Sequence, residues 1–222
     1  MTPLSRSVED YRKAIYALSK SGAAAATSAI ARTLDVQPAS VTGMVKRLSE
    51  AGFLEHEPYR GVRLTENGRL EALKILRRHR ILETYLSERL GYSWDDVHDE
   101  AERLEHAASG QLIERMARAL ENPSHDPHGS PIPTPTGEVE AFEFLTLAEA
   151  PLDVRVQIRE VRDDDSGRLR DMERRGLVPG SVLVVDGRER LDGPVHVRSD
   201  DEAGTPLVVD PEIARRIYVA EL

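Results

Sequence analysis

Residues 30–48 read IARTLDVQPASVTGMVKRL, and this stretch decides the fold of the first third of the chain. Apolar residues recur at helical spacing on both sides of the turn "DVQP", at Ile30, Leu34, Val41, Val45 and Leu48. Pro38 is typical of the first turn of a helix, where its missing N–H leaves no bond unmade. Thr27 or Ser28 is expected to cap the first of the two helices. The stretch therefore predicts two short helices joined by a tight turn.

The flanking sequence completes a small domain around these two helices. Upstream, residues 6–20 predict a further helix, whose apolar face carries Val8, Tyr11, Ile15 and Leu18. Downstream, Gly52 ends the second helix, and apolar pairs on either side of the polar tip "HEPYRG" predict a two-stranded hairpin. Helix, turn, helix and hairpin in this order are typical of a winged helix-turn-helix, whose second helix enters the major groove of DNA. The alternative is a small helical domain with a hairpin and no nucleic-acid partner.

The predicted recognition helix offers two kinds of DNA contact. The turn that would face the bases comprises Gln37, Pro38, Ala39 and Ser40. A glutamine pairs with adenine, and apolar side chains contact the methyl group of thymine. The candidates for phosphate contacts are Ser40, Thr42, Lys46, Arg47 and, in the hairpin tip, Arg60. For Lys46 and Arg47 the alternative is an ordinary polar helix face.

The net charge of −9 is unevenly distributed along the 222 residues. Residues 1–80 hold 14 Lys and Arg against 8 Asp and Glu, so this part is basic and the remainder is acidic. A locally basic surface favours DNA binding even on an acidic protein. The chain has no cysteine, so disulfides and thiolate zinc sites are excluded, and any metal site must use His and carboxylate ligands. No apolar run reaches the roughly 18–20 residues that span a bilayer and no signal-peptide core is present, so we expect a cytoplasmic protein.

The rest of the chain divides by composition. Residues 66–90 and 94–121 each predict a long helix, and Gly91 separates them. Five prolines in residues 122–138 exclude a helix and predict a linker or an extended surface segment. The two histidines of "SHDPH" in this segment are expected to be ordinary loop residues. Beyond residue 150, one short helix and several short alternating segments predict a small β-barrel, the segments being VRVQIREV, SVLVVDG, PVHVRS, TPLVVD and IYVAEL.

Residues 97–109, VHDEAERLEHAAS, concentrate potential metal ligands on one predicted helix. At about 100° per residue, His98, Glu102, Glu105 and His106 fall within an arc of about 100°. The apolar stripe that would pack on a core comprises Val97, Ala101, Leu104 and Ala108. The two glutamates lie on the same side and repel each other, and a divalent cation would remove that repulsion. The alternative is a solvated helix face without a metal.

The preceding helix carries a second pair of potential ligands. His79 and Glu83 are four residues apart, so both point the same way. A short turn joins the two helices, and antiparallel packing would bring His98 towards this pair. Taken alone, His79 among three arginines is more typical of a surface or phosphate-facing residue.

Together these motifs resemble the diphtheria toxin repressor and manganese transport regulator family of metal-dependent transcription repressors. The resemblance covers nearly the whole chain and rests on VEDYRKAIYAL, VQPASVTGMVKRLSEAGFL, YRGVRLTENG, RRHRILETYL, VHDEAERLEH and PHGSPIP. It implies an α+β fold with three domains: a winged helix-turn-helix in residues 1–72, a helical metal-binding and dimerisation domain in 73–140, and an SH3-like, FeoA-like barrel in 141–222. It also implies a homodimer that binds operator DNA, with no enzymatic activity, no membrane partner and no organic substrate.

The resemblance also implies two metal sites. The main activating site would comprise Asp10, Glu102, Glu105 and His106. The ancillary site would comprise His79, Glu83 and His98, completed in iron-type members by the barrel. Asp165 matches the barrel carboxylate, and residues 163 and 164 would serve as well. The other barrel ligand falls on Arg168, which cannot bind a cation.

Differences between this chain and the two branches of the family indicate which ion the main site prefers. Iron-type members have Met and Cys where this chain has Asp10 and Glu102, as manganese-type members do. Carboxylate oxygens suit hard ions, whereas thioether and thiolate groups suit softer ones, so Mn²⁺ is favoured and Fe²⁺ is the alternative. Manganese-type members also place a Glu, which binds a paired ion, where this chain has Lys13. We therefore do not expect a closely coupled two-manganese cluster.

Two other classes of protein are compatible with parts of the pattern. A metal-dependent hydrolase would use His and carboxylates to activate water, but the chain has no HExxH helix and no nucleophile near the cluster. A winged-helix regulator that senses an organic ligand would keep the carboxylates in surface ion pairs. Hydrolase assays and DNA binding with and without metal distinguish these classes from a metal-dependent repressor.

Overall fold

A computed structural model describes residues 6–19, 23–57, 60–140, 144–163, 165–188, 190, 192–200 and 204–222. The contacts within the chain define two compact units. The first comprises residues 1–79, 103–112 and 133–139, and the second comprises residues 80–102, 113–132 and 140–222. The division into three domains at residues 72 and 140 stays a prediction. No helix in the described ranges is long and apolar enough to cross a membrane.

The first unit begins with three helices and a hairpin, in the order that the sequence predicts. These elements are α1 Arg6–Leu18, α2 Thr27–Thr33, α3 Pro38–Glu50, β1 Leu54–Glu57 and β2 Gly61–Leu64. The two strands pair antiparallel from Leu54 opposite Leu64 to Glu57 opposite Gly61. A winged helix-turn-helix arrangement is therefore confirmed.

One apolar core holds the elements of the winged helix together. Its buried side chains come from all three helices and the hairpin and include Val8, Tyr11, Ile15, Ile30, Leu54 and Val62. The residues that spacing placed on the inner face of α3, Val41, Val45 and Leu48, are also buried in this core. The opposite face of α3 is left exposed.

The prediction that Thr27 or Ser28 caps α2 is wrong. Ala26 occupies the N-cap position without a side-chain hydrogen bond, and Thr27 is already helical. The physical reason is a short bridge just before the helix, in which the backbone N–H and C=O of Ala25 bond to Val62 at 2.8 and 3.0 Å. The chain passes directly from this bridge into α2. At α3 the prediction is confirmed, because Pro38 is the first helical residue after the N-cap Gln37.

Helix α4 spans Glu66–Leu90, as predicted, and Gly91 follows it with a φ of 71°. The prediction of one helix over residues 94–121 is wrong, because the chain forms α5 Val97–Leu104 and α6 Gly110–Ala119. Residues 105–107 form a turn after α5. The hydroxyl of Ser109 then accepts a hydrogen bond from the N–H of Leu112 at 3.2 Å, which satisfies a free donor at the start of α6.

The early end of α5 changes the burial of its apolar stripe. Val97 and Ala101 are fully buried, as predicted, but Leu104 is 37% exposed. Because the backbone leaves helical geometry after Leu104, Glu105 turns inward and is 0% exposed. The helical projection places Glu105 on the polar arc and outside the apolar stripe, so its complete burial differs from that prediction.

The proline-rich segment, residues 122–138, contains neither a helix nor a named strand, as its composition predicts. Arginines of α4 hold it through carbonyl groups. In the first unit Nη1 of Arg77 donates to the carbonyl of Pro133 at 2.9 Å, and in the second unit Nη1 of Arg80 donates to the carbonyl of Pro131. Proline has no N–H, so its carbonyl is the backbone group through which such a segment is bound.

The second unit contains the predicted β domain. Its elements are β3 Leu145–Thr146, β4 Arg155–Val161, α7 Ser166–Arg174, β5 Val182–Arg188, β6 Val195–Ser199, β7 Pro206–Val209, α8 Pro211–Ala214 and β8 Ile217–Glu221. Neighbouring strands are antiparallel in the order β3-β8-β4-β5-β6-β7. Register shifts at 158/160 and 185/187 are of the kind that bends a sheet. The five predicted strands and the predicted helix are confirmed, whereas β3 and α8 are too short for periodicity to reveal.

Candidate metal centre

His106 faces two acidic side chains in the first unit. Its Nε2 atom is 3.0 Å from Oδ1 of Asp10 and 3.3 Å from Oε1 of Glu105. One potential ligand atom from each of these three residues lies within 4.8 Å of the other two. Asp10 comes from α1, whereas Glu105 and His106 come from the turn after α5. The fold thus joins three of the four residues that the family resemblance assigns to the main site.

The two nitrogen atoms of His106 have different surroundings. Nδ1 is 2.7 Å from Oε2 of Glu9, whose other oxygen accepts a hydrogen bond from Nη2 of Arg78 at 2.7 Å. Nε2 is buried and makes no hydrogen bond with any described residue, although Asp10 and Glu105 face it. When the ring is neutral and Nδ1–H donates to Glu9, Nε2 carries a lone pair, and a lone pair that faces two carboxylates is a repulsive arrangement. A divalent cation would relieve it, so the residues present fit such an ion.

Glu105 is the most buried acid of the group. Both of its oxygens accept hydrogen bonds from Nζ of Lys13, at 3.0 and 3.2 Å, and Oε2 is 2.7 Å from Nδ1 of His79. Burial raises the pKa of Glu105, but the hydrogen bond from His79 and the charge of Lys13 outweigh it and hold this pKa below its usual range. The carboxylate is therefore kept charged inside the protein, which is the form that binds a metal.

In the second unit, Glu83 lies beside His98. Oε1 of Glu83, which is almost fully buried, is 3.0 Å from Nδ1 of His98. Nε2 of the same ring is 3.9 Å from Oε1 of Glu102, one turn further along α5. Two of the three helical residues assigned to the ancillary site therefore lie together, and the third, His79, bonds to Glu105 in the first unit.

A further group of potential ligands in the second unit comprises Glu83, Asp126 and His128, all buried, with ligand atoms within 4.8 Å of one another. Asp126 accepts hydrogen bonds from the backbone N–H groups of His128 and Ser130 at 2.9 and 3.0 Å. Nε2 of His128 is 3.0 Å from the carbonyl of Trp94. His128 is predicted from the sequence to be an ordinary loop residue, and its burial beside Glu83 and Asp126 is a difference from that prediction. The available signal was that "DPHG" places an acid and a histidine two residues apart.

The predicted barrel ligand Asp165 is not part of any metal-compatible group among the described residues. It occupies the N-cap position of α7, where its Oδ1 accepts a hydrogen bond from the N–H of Arg168 at 2.8 Å. The alternative Asp163 bonds to the guanidinium of Arg168 at 2.7 and 2.8 Å. Residue 164 lies outside the described ranges. A ligand from the barrel stays a prediction.

The candidate DNA contacts of α3 share one surface. The outer face of the helix is exposed and carries Gln37, Pro38, Ala39, Ser40, Thr42, Lys46 and Arg47. Lys46 is 78% exposed, and its Nζ is 3.9 Å from Oε1 of Glu50, which is too weak a pair to immobilise it. Arg60 is exposed at the tip of the hairpin, where its N–H bonds to the carbonyl of Glu57. The surface is exposed and carries the cationic side chains Lys46 and Arg47, and the individual contacts stay predictions.

Three family models match the chain in succession. The DNA-binding domain of the iron dependent repressors matches residues 3–62, their metal binding and dimerisation domain matches residues 65–134, and the FeoA domain matches residues 145–221. Together these matches confirm the α+β fold with a winged helix and a C-terminal SH3-like domain.

Curated relatives come from both branches of the family. The iron-dependent repressor IdeR of Mycobacterium tuberculosis is 31% identical over 201 residues, which cover 84% of this chain and 86% of IdeR. The diphtheria toxin repressor of Corynebacterium jeikeium is 32% identical over 245 residues, covering 100% of both chains. The regulator MntR of Oceanobacillus iheyensis is 41% identical over 110 residues, covering 50% of this chain and 74% of MntR.

Solved structures agree with these relatives. A manganese-dependent transcriptional repressor in complex with manganese matches with a TM-score of 0.91 at 34% identity, covering 97% of this chain and 100% of that chain. The manganese regulator SloR matches with a TM-score of 0.79 at 30% identity, covering 100% of both chains. This chain therefore belongs to the diphtheria toxin repressor and manganese transport regulator family of metal-dependent, DNA-binding transcriptional repressors.

Proposed function

We propose that this chain is a homodimeric repressor whose operator binding is switched on by Mn²⁺, bound by Asp10, Glu102, Glu105 and His106. The observation that carries the proposal is the buried Nε2 atom of His106, which faces two carboxylates and has no hydrogen bond to a described residue. Glu102 precedes Glu105 by three residues and would add a third carboxylate. Three carboxylates and one imidazole favour Mn²⁺ over softer ions, with Fe²⁺ as the alternative.

An ancillary ion would be bound by Glu83 and His98, together with His79, which precedes Glu83 by one turn of α4. With Nδ1–H of His79 donating to Glu105, its Nε2 carries the lone pair that a metal requires. Asp165 remains the proposed ligand from the barrel. The burial of Glu83 supports this site, because a buried carboxylate needs a compensating positive charge.

The proposed switch acts through α1. The cation would supply the positive charge that allows the carboxylates of the site to lie close to one another. Asp10 extends from α1 towards Glu105 and His106, while Val8, Tyr11 and Ile15 of the same helix are buried in the core that supports α3. Fixing Asp10 therefore also fixes the recognition helix. In a homodimer this would set the separation of two recognition helices, which determines whether both half-sites can be contacted.

The same arrangement gives the switch its thermodynamic basis. An ion that binds more tightly to the DNA-binding arrangement than to other arrangements shifts the population towards it, and by linkage DNA also tightens ion binding. We expect the regulated genes to be those of metal uptake, because a repressor activated by Mn²⁺ would stop uptake when the ion is abundant.

Fluorescence anisotropy tests the proposal, using DNA selected from a random pool by the wild-type protein in the presence of Mn²⁺. We expect binding with Mn²⁺ and loss of binding with EDTA. Glu105→Ala and His106→Ala should abolish metal-dependent binding yet remain folded dimers by circular dichroism and sedimentation. As a control, Glu88→Ala, at an exposed position near the end of α4, should bind like the wild type.

Three outcomes would contradict parts of the proposal. Wild-type DNA binding that EDTA does not change would remove the metal switch and favour a regulator that senses an organic ligand. Normal binding by both site variants would remove the assignment of ligands. A titration at controlled free Mn²⁺ and Fe²⁺ concentrations decides between the two ions, and activation by Fe²⁺ at the lower concentration would overturn the preference for Mn²⁺.

A further inference from the structure

Glu9 lies next to the proposed ligand Asp10 in the sequence, and both side chains reach the same imidazole ring. Asp10 faces Nε2 of His106 at 3.0 Å, whereas Oε2 of Glu9 contacts Nδ1 at 2.7 Å. Glu9 is mostly buried, with 14% of its side chain exposed. Its second oxygen accepts a hydrogen bond from Arg78 of α4, so the carboxylate is held from both sides.

The contact with Glu9 decides which nitrogen of His106 carries the proton. A carboxylate accepts hydrogen bonds and does not donate them, so the contact at Nδ1 requires a proton on Nδ1. The neutral ring then has its lone pair on Nε2, which is the atom that faces Asp10 and Glu105. In other metal sites, a partner on the second ring nitrogen fixes the tautomer and orientation of a histidine ligand in the same way.

We propose that Glu9 is a positioning residue, which rests on the proposed function: it holds His106 in the Nδ1–H tautomer and turns Nε2 towards the ion. Arg78 acts one step further away, because its hydrogen bond fixes the rotamer of the Glu9 carboxylate. α1 therefore supplies both a ligand and the residue that orients another ligand. Loss of a partner of this kind weakens metal binding by about 10–100-fold.

Competition with a fluorescent chelator measures Mn²⁺ affinity in the full-length protein. We expect Glu9→Ala to weaken binding by about 10–100-fold. Glu9→Gln should lie between this variant and the wild type, because its amide oxygen still accepts from Nδ1–H but carries no charge. It also keeps the test available if Glu9→Ala does not fold. The control Glu88→Ala should bind Mn²⁺ like the wild type.

The tautomer itself can be read without any metal. Long-range ¹H–¹⁵N correlation spectra distinguish a protonated from an unprotonated ring nitrogen, and the spectrum of His106→Ala assigns the signals of His106. In the metal-free wild type we expect Nδ1 to carry a proton, and in Glu9→Ala we expect a substantial fraction of rings with Nδ1 unprotonated. A residue that only stabilised the fold would change the melting temperature without moving this ratio.

A double-mutant cycle separates the role of Arg78. Arg78→Gln should weaken Mn²⁺ binding in the wild-type background and should cause no further weakening in the Glu9→Ala background. An additional decrease in that background would show that Arg78 does not act through Glu9.

The inference is overturned if Glu9→Ala keeps both the wild-type Mn²⁺ affinity and the wild-type tautomer ratio. It is also overturned if Nδ1 of the wild-type ring carries no proton. A wild-type protein that binds no Mn²⁺ would instead contradict the proposed function, and the tautomer measurement would still show whether Glu9 orients His106.

Discussion

Lys13 gives the metal centre its own positive charge. Its ammonium group bonds to both oxygens of Glu105 and is largely shielded from water, with 19% of the side chain exposed. Any divalent ion that binds Glu105 must compete with these charge-assisted bonds and with the repulsion between two cations. Lys13 is thus expected to lower the affinity of the site for its metal.

We predict that Lys13→Gln binds Mn²⁺ more tightly than the wild type, by about tenfold, which corresponds to about 1.4 kcal/mol. The measurement is a chelator competition at fixed pH. Lys74→Gln serves as the matched control, because Lys74 pairs with Glu71 on the exposed side of α4. Equal or weaker Mn²⁺ binding by Lys13→Gln would contradict competition between the ammonium group and the ion.

The same variant changes the response to acid of the metal-free protein. Because the pKa of Glu105 is lowered in the folded state, its stabilising contribution is complete above the unfolded pKa and is lost as the pH falls through the folded pKa. Lys13→Gln removes one cause of that lowering, so its melting temperature should fall by less than that of the wild type between neutral and acid pH, and the fall should end at a higher pH. Identical acid profiles in the variant and the wild type would show that the other contacts of Glu105 are sufficient to keep its pKa lowered.

At the scale of single residues, the sequence grouped the candidate ligands but did not reveal what surrounds them. Spacing alone grouped Glu102, Glu105 and His106, because they lie within five residues of one another. Asp10 lies on a distant helix, and only the family resemblance connected it to them. The contact between Glu9 and His106 joins residues 97 positions apart and leaves no local pattern, so the sequence did not reveal it.

At the scale of elements, α4 packs closely against the residue that precedes the hairpin. A Cβ atom added to Gly68 would lie 2.1 Å from the carbonyl oxygen of Phe53, which is backbone and has little room to move. The absence of a side chain at Gly68 therefore allows the start of α4 to approach the chain between α3 and β1. Thr65 strengthens this junction, because its hydroxyl donates to the carbonyl of Gly52 at 2.8 Å.

We predict that Gly68→Ala destabilises the protein by about 1–3 kcal/mol, the usual range for overpacking. Gly43→Ala is the matched control, since no described heavy atom lies within 4 Å of its added Cβ and alanine is the better helix former by about 1 kcal/mol. Denaturant unfolding should therefore give opposite signs for the two variants. If Gly68→Ala instead stabilised the protein, this would show that Phe53 moves aside without a cost in the free energy of folding.

The helices also show where sequence patterns stop being informative. Periodicity and Gly91 predicted both ends of α4, because a long amphipathic helix contains many independent signals. The break after α5 was missed, since the acidic run continues through residue 105 without a proline. The N-cap at Ser109 was the available signal for this break. A serine before a glycine is weaker evidence for a break than a helical pattern on both sides is for a continuous helix.

At the scale of the whole molecule, the basic charge is concentrated in residues 1–80, whereas the chain as a whole is acidic. If the exposed face of α3 contacts phosphates, DNA affinity must fall as salt rises, because binding releases counterions. The acidic remainder of the chain would repel DNA at other surfaces. Charge distribution, more than net charge, is then expected to orient the protein on its operator.

We predict that Arg47→Ala lowers the slope of log affinity against log salt by about 0.9 for each phosphate that the arginine neutralises. The measurement is anisotropy with Mn²⁺ present at several salt concentrations. Arg118→Ala, at an exposed position of α6, is the control and should leave the slope unchanged. A slope for Arg47→Ala equal to that of the wild type would exclude Arg47 from the residues that bind phosphate.

Glu9 and Asp10, two adjacent residues of α1, both contact the ring of His106, and this restricts rotation of the helix about its axis. Successive side chains on an α-helix project about 100° apart around its axis. Glu9 and Asp10 can both reach His106 only over a narrow range of axial rotation, because turning the helix either way withdraws one carboxylate as it advances the other. The imidazole thereby fixes the rotation of α1 about its axis. It also fixes the direction in which Tyr11 and Ile15 point into the core that supports the recognition helix.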